Sequence, residues 1–212
     1  MLDNTNPLVQ VQLTAEMPAR KRLAPGERRV QILQTLAQML EQPGGERITT
    51  ALLAAKLEVS EAALYRHFAS KAQMFEGLIE FIEESVFTLV NQILARELDA
   101  PATLRMLLSM VLQFAQKNPG MTRVMVGDAL VFEHQRLQER MNQFFDKLEA
   151  TFKQVLRDHA VAQAAATPTV DAQVRAALMS AFVVGRLQRF ARSGFKCVPA
   201  EHLDASLAIM LG

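Results

Sequence analysis

The run Thr49–Lys71, TTALLAAKLEVSEAALYRHFASK, constrains the fold more than any other stretch of this chain. It reads as a helix, a short turn, a second helix and a terminal lysine. Thr49 or Thr50 can cap the first helix, with Leu52, Leu53 and Leu57 expected to pack inward. Ser60 caps the second, and Glu61 sits well against its positive N-terminal end. Leu64 and Phe68, four residues apart, bury its inner side. This is the layout of a helix-turn-helix, whose second helix is placed to enter the major groove of DNA.

Helical spacing dominates the remainder. Residues 1–24 read as a flexible leader ending in the basic Arg20-Lys21-Arg22. Pro25-Gly26 marks a helix entrance; Val30, Leu33, Leu36, Ala37 and Leu40 follow at helical intervals until Pro43-Gly44-Gly45 stops the helix. Beyond Lys71 the helices lengthen. Phe75, Leu78, Ile82, Val86, Leu89 and Ile93 form one stripe to about Leu98. A helix from Pro101 ends near Asn118-Pro119-Gly120, and a short one reaches Gly127. Leu137, Met141, Phe144, Leu148, Phe152 and Val155 mark a long helix ending near His159, followed by an expected mobile loop over residues 160–169. Val174, Leu178, Ala181, Phe182 and Gly185 define a penultimate helix to about Ser193, and the last spans about 200–211. No strand or internal repeat is evident. The expectation is an all-α fold of about nine helices: a leader (1–24), a three-helix domain holding the helix-turn-helix (25–70) and a six-helix domain (71–212).

Composition agrees. A chain of 212 residues that is 50% hydrophobic can bury a sizeable core, and with 6% aromatics and no Trp that core must be Leu, Ala, Val and Met. The single cysteine, Cys197, excludes an internal disulfide framework and fits a reducing cytosol. No uninterrupted apolar stretch nears the roughly 20 residues of a membrane helix. Asp3, the lack of an early Lys or Arg, and the glutamines breaking Leu8–Leu13 do not make a secretory signal. The expected location is cytoplasmic. Net charge is only +1, but residues 20–71 hold nine Lys or Arg against five Glu, a balance of +4. Residues 1–19 contribute −2 through Asp3 and Glu16, which leaves −1 for residues 72–212. Positive charge therefore gathers around the motif, as a grip on phosphates requires.

The residue types suit the task. Thr50, opening the first helix, offers a small hydrogen-bond donor towards the DNA backbone. Ser60, Glu61, Ala62 and Ala63 keep the start of the recognition helix slim enough to reach base edges. Tyr65, Arg66 and His67 flank it towards phosphates, and Lys71 adds a charge from the next helix. The basic leader can follow an adjacent minor groove. The plain alternative is three ordinary small helices, with Tyr65 an edge aromatic and His67 a solvent-facing histidine.

Thr50, Ala54, Val59-Ser60, Leu64-Tyr65-Arg66-His67-Phe68 and Lys71, at these fixed offsets, resemble the signature of the TetR family of one-component regulators. The resemblance implies three DNA-binding helices followed by a helical regulatory domain, and a homodimer on palindromic double-stranded DNA. It further implies phosphate contacts from Thr50, Tyr65, His67 and Lys71, and base contacts from the start of the recognition helix. One position departs: Glu58 stands at the turn position usually held by Gly. It must adopt strained positive φ or reshape the turn.

Within that family, four segments look like the nucleoid occlusion factors: RRVQILQTLAQMLE, RITTALLAAKLEVSEAALYRHFASK, MFEGLIEFIEES and KNPGMTRVMVGDALVFEHQRLQERMNQFF. The likeness covers roughly Arg28–Leu156. Its most discriminating parts are Asn118–Arg123 and Leu130–Glu133. It implies a factor that binds chromosomal palindromes and, when DNA-bound, restrains the division GTPase FtsZ over the nucleoid. It places the FtsZ C-terminal tail between the fourth and fifth helices, at Phe81, Met110, Lys117 and Asn118. Met110 replaces another apolar residue and Lys117 an Arg; Leu89 and Gln113 depart further, standing for Arg and Gly. On spacing alone, Phe81 and Met110 fit plain core packing.

The last two long helices are expected to form a four-helix dimer bundle across a twofold. Ala177, Ala181 and Gly185 allow close approach, and Leu178, Phe182 and Leu207 supply apolar area. The alternative is packing of the same stripe within one chain. A ligand-responsive repressor of the same fold is the rival function; its pocket would be lined by Met106, Met110, Phe114, Met121, Met125 and Phe144, a set that equally suits a core. No enzyme, metal or cofactor is expected. His67, His134, His159 and His202 lie far apart without metal-ligand spacing, and Gly44-Gly45 lacks a phosphate-loop context.

Overall fold

A computed structural model of the protein describes residues 25–42 and 47–211. The basic leader and the Pro43-Gly44-Gly45 stop lie outside the described residues. Nine α-helices are present among those described: α1 Pro25–Leu40, α2 Thr50–Lys56, α3 Glu61–Tyr65, α4 Lys71–Leu94, α5 Ala100–Lys117, α6 Pro119–Met125, α7 Gln135–Ala162, α8 Pro168–Arg192 and α9 Leu203–Leu211. One 3₁₀ turn, Asp128–Leu130, precedes α7.

Side-chain capping sets several of the boundaries. Thr49, Ser60, Ser70 and Asp99 each accept a backbone N–H from the first turn of the helix they precede. Apolar residues at helical spacing then decide which faces turn inward. The α4 stripe of Phe75, Leu78, Ile82, Val86, Leu89 and Ile93 is buried throughout, as is Leu137–Met141–Phe144–Leu148–Phe152 on α7. Phe87, Phe144 and Phe145 meet edge-on at 5.1–5.4 Å between centroids. A continuous apolar core runs from α1 to α9.

Three details differ from the sequence expectation. Leu52 is 55% exposed, because on so short a helix Leu53 and Leu57, four apart, define the inner side. The alanines after His159 extend α7 to Ala162, in keeping with their helix propensity, so the connection shrinks to Gln163–Thr167. The final helix begins at Leu203 rather than near residue 200.

Two contacts seat α1–α3 on the larger helices. Gly120 of α6 lies so close to α1 that a Cβ built there falls 1.9 Å from the Ala37 carbonyl oxygen. Glu41, just past α1, accepts the Gly120 backbone N–H; burial pushes its carboxyl above the usual range and that hydrogen bond partly offsets the rise. Nearby, α4 is strapped to α7 by Glu76–Arg136 at 2.7 Å and by a forked Glu83–Arg140 pair with a closest approach of 2.5 Å. The Glu83 carboxylate raises the Arg140 guanidinium further.

Candidate nucleic-acid interface

The recognition helix is built by its flanks. Thr49 Oγ1 accepts the Leu52 N–H at 3.2 Å and starts α2. At its end Glu58 takes φ 56°, the left-handed conformation that favours glycine. The N–H of Glu58 reaches the Ala55 carbonyl at 3.1 Å, and that of Val59 reaches Ala54 at 3.0 Å. This is the paired hydrogen bonding of a glycine-type helix stop, made here by Glu at the cost of backbone strain. The turn is therefore not reshaped. Ser60 Oγ accepts the Ala63 N–H at 3.3 Å to open α3, which leaves the hydroxyl proton available to donate. Leu64 and Phe68 are each 1% exposed and anchor the inner side.

The outer side is open. Ser60, Glu61, Ala62, Tyr65 and Arg66 are exposed, and Ala63 and His67 half-buried. Tyr65 stands 46% exposed, and the residues at the helix start are small. Thr50 Oγ1 donates to Glu61 Oε2 at 2.6 Å, bridging the starts of α2 and α3. The Thr50 hydroxyl proton is thus engaged by a neighbour rather than presented outward, as the sequence suggested.

Three contacts around the motif escape sequence reasoning. Arg29 of α1 lies 4.1 Å over the Phe68 ring and donates to the His67 carbonyl, bracing the C-terminal end of α3 from below. Its only signal is the adjacent Arg28-Arg29 at the start of α1. Arg47 lies 5.0 Å over the Phe132 ring, and Lys71 Nζ pairs with Glu133 Oε1 at 2.5 Å. Two consecutive residues of the segment before α7 thus hold two cations of the DNA-binding region. Lys71 is half-buried, and its charge is shared with Glu133.

The α4–α5 and α8 positions divide. Phe81 is half-buried and Lys117 exposed, but Met110 and Asn118 are buried. Asn118 Nδ2 donates to the Phe114 carbonyl at 2.8 Å, and its backbone carbonyl accepts from Thr122 Oγ1 at 3.1 Å. Met110 and Asn118 therefore pack and hydrogen-bond largely within the chain. Leu89, at a position where the resemblance leads one to expect Arg, is buried, which an apolar side chain suits. On α8, Ala177, Leu178, Ala181 and Gly185 are exposed and Phe182 half-buried, while Ala172, Ala176, Met179, Val183, Leu187 and Phe190 turn inward. Nothing lies within 4 Å of a Cβ placed on Gly185. Leu207 is the exception among the expected interface residues: it is 2% exposed because α9 turns it into the core, while Ile209 on the same helix is 84% exposed.

The methionines of the rival reading fill the core. Met110, Phe114, Met121, Met125 and Phe144 are buried and Met106 partly so. A cavity of about 320 Å³ lies elsewhere, lined by Leu94, Leu98, Asp99, Ala100, Thr103, Val155, Asp158 and His159, and is open to solvent. Among the described residues no three of His, Cys, Asp or Glu gather as a metal site, and no helix is long and apolar enough to cross a membrane.

Comparison with known proteins places this geometry. Residues 32–78 match the bacterial regulatory proteins of the tetR family, and residues 99–211 match the SlmA-like family described as the tetracyclin repressor-like C-terminal domain. The chain is 54% identical over 178 residues to the nucleoid occlusion factor SlmA of Photobacterium profundum, covering 84% of this chain and 90% of that protein. It is 51% identical over 184 residues to the SlmA of Aliivibrio fischeri, covering 86% and 93%. Among solved structures, the transcriptional regulator FadR from Bacillus subtilis, in complex with stearoyl-CoA, superposes with a TM-score of 0.68 at 12% identity, covering 86% of this chain and 97% of that one, a likeness of fold alone. With a TetR-type reading head at its front and an SlmA-like helical domain behind it, the chain belongs to the SlmA family of nucleoid occlusion factors.

Proposed function

We infer that this chain is a sequence-specific DNA-binding nucleoid occlusion factor that works as a homodimer on palindromic chromosomal sites. The observation that carries the reading is the open face of α3: small residues at its start, Tyr65 and Arg66 along its flank, and Arg29 bracing its far end. A slim helix start reaches base edges, while the flanking groups hold phosphates and fix register. Ser60, Glu61, Ala62 and Ala63 face bases in this reading; Tyr65, Arg66, His67 and Lys71 lie towards the backbone, and Thr50, its hydroxyl proton given to Glu61, stands beside them. Residues 25–70 act as the reading domain and residues 71–212 as the regulatory and dimerisation domain. The exposed Ala177, Leu178, Ala181 and Gly185 of α8, with Phe182 beside them, pack against their symmetry mates. Small residues four apart let two helices approach closely. DNA-bound dimers restrain FtsZ through its C-terminal tail on the α4–α5 side, where Phe81 and Lys117 are the accessible members of the expected set.

Two measurements test this. Binding to a palindromic duplex should fall steeply with salt, because phosphate contacts release counterions. A chain that ignores every duplex at low ionic strength sinks the reading. Chromosome-wide mapping of bound DNA should then give many dispersed sites, sparse near the replication terminus; a handful of promoters would favour the ligand-responsive repressor instead. Binding of an FtsZ tail peptide, with and without DNA, tests the partner.

A further inference from the structure

A carboxylate at a DNA-reading surface requires an explanation, because the phosphates repel it. Glu61 is exposed at the start of α3, and no ion pair to it occurs among the described residues. Such a group weakens binding to DNA unless it gains a hydrogen bond from a base. In the major groove the bases offer two kinds of donor, the amino groups of cytosine N4 and adenine N6. Adenine sets its N7 acceptor beside N6. An ionised carboxylate accepts hydrogen bonds and donates none, so it is repelled at N7, where an amide side chain donates. Cytosine offers its amino group with no acceptor beside it on that edge.

The geometry at Glu61 suits the single donor. Thr50 Oγ1 donates to Oε2 at 2.6 Å, which ties the side chain between the starts of α2 and α3. A carboxylate held by a neighbouring helix, able to accept and unable to donate, matches an amino group with no acceptor beside it. We propose that Glu61 reads a cytosine in each half-site through its N4 amino group, and that Thr50 is the positioning residue that aims the carboxylate. The inference rests on the DNA-binding reading above and adds to it the base that this position selects.

The test uses the full-length dimer. Selection from a random duplex pool supplies the preferred site. Each half-site cytosine is then replaced in turn by thymine (paired with adenine) or by 2-pyrimidinone, which lacks the amino group and still faces guanine. Wild-type protein should lose roughly tenfold or more in affinity at one cytosine per half-site, with both replacements. Glu61→Gln should lose that preference at the same position and no other, and shift towards adenine there. Thr50→Val should blunt the preference, and Thr50→Ser should restore it. The proposal is overturned if every cytosine tolerates 2-pyrimidinone in the wild type. It is equally overturned if Glu61→Gln keeps the wild-type base ranking while tightening all duplexes by one common factor, the mark of relieved repulsion alone. A wild-type chain that binds no duplex fails the broader DNA-binding reading, a result distinct from both. The base-analogue arm needs no variant and stands even where a substitution disturbs folding.

Discussion

Single backbone positions set the presentation of the reading helix. Glu58 adopts φ 56° where glycine would be unstrained. Left-handed backbone costs a non-glycine residue about 1–2 kcal/mol, part of which glycine returns through its greater freedom in the unfolded chain. Glu58→Gly should therefore stabilise the protein by about 0.5–1 kcal/mol and raise Tm by about 2 °C in a thermal melt. Gly120 is the opposite case, since a Cβ there meets the α1 backbone at 1.9 Å. Gly120→Ala should cost about 3 kcal/mol, seen as a lower denaturant midpoint, because a main-chain carbonyl cannot swing aside as a side chain can. Glu41, beside it, has a carboxyl raised above its ordinary value by burial. The folded state then holds that proton more tightly than the unfolded state does. The contribution is full below the ordinary pKa of 4.5 and is lost as pH rises through the raised value. Glu41→Gln should gain on wild type in melts at pH 7 and show no such gain at pH 4.

Between elements, the informative contact is Lys71 with Glu133. It joins the first residue of α4 to the segment before α7 at 2.5 Å, with the Glu133 side chain only 8% exposed. A lysine with two claims on its charge cannot be tested by simple removal. Lys71→Ala leaves a nearly buried carboxylate without its cation, so it should lose stability, by about 2 kcal/mol, as well as DNA affinity. Glu133→Gln makes the cleaner experiment. It frees the ammonium, and DNA binding should tighten at low salt with a slope against log salt steeper by about 0.9 if one more phosphate is engaged. An unchanged slope in fluorescence titration would mean that Lys71 reaches no phosphate. The helix-turn-helix itself is largely legible in the sequence, because caps and turns are local: Thr49 and Ser60 cap as their spacing suggests. Arg29, Arg47 and Glu133 are not, because each acts on a residue many positions away and leaves no periodic trace.

Across the assembled fold, the exposed side of α8 is the feature that a lone chain leaves unexplained. Val174 and Leu178 are 57% and 54% exposed, beside the small residues of the same face. Spacing leaves open whether this stripe packs within one chain; here Val174, Ala177, Leu178, Ala181 and Gly185 stay exposed, while Phe182 packs partly against the core. Leu178→Asp should therefore fold normally by circular dichroism yet sediment as a monomer, with DNA binding weakened because two half-sites are no longer joined. Phe182→Asp is less discriminating, since Phe182 is half-buried within its own chain and lies 6.0 Å from the Arg186 guanidinium. A Leu178→Asp variant still dimeric at micromolar concentration would move the dimer seam elsewhere.

The helices, their caps and the reading motif follow from residue order, because periodicity and turn chemistry act over a few residues. Residue order also marks Glu58 as a departure, and the alternatives it allows there include the one found. Long-range packing had to settle which apolar face of a helix is core and which is surface. Met110, Asn118 and Leu207 turn inward, whereas Leu52, Val174 and Leu178 turn outward. A stripe at helical spacing states that a face will be covered, and only contact between distant segments states by what.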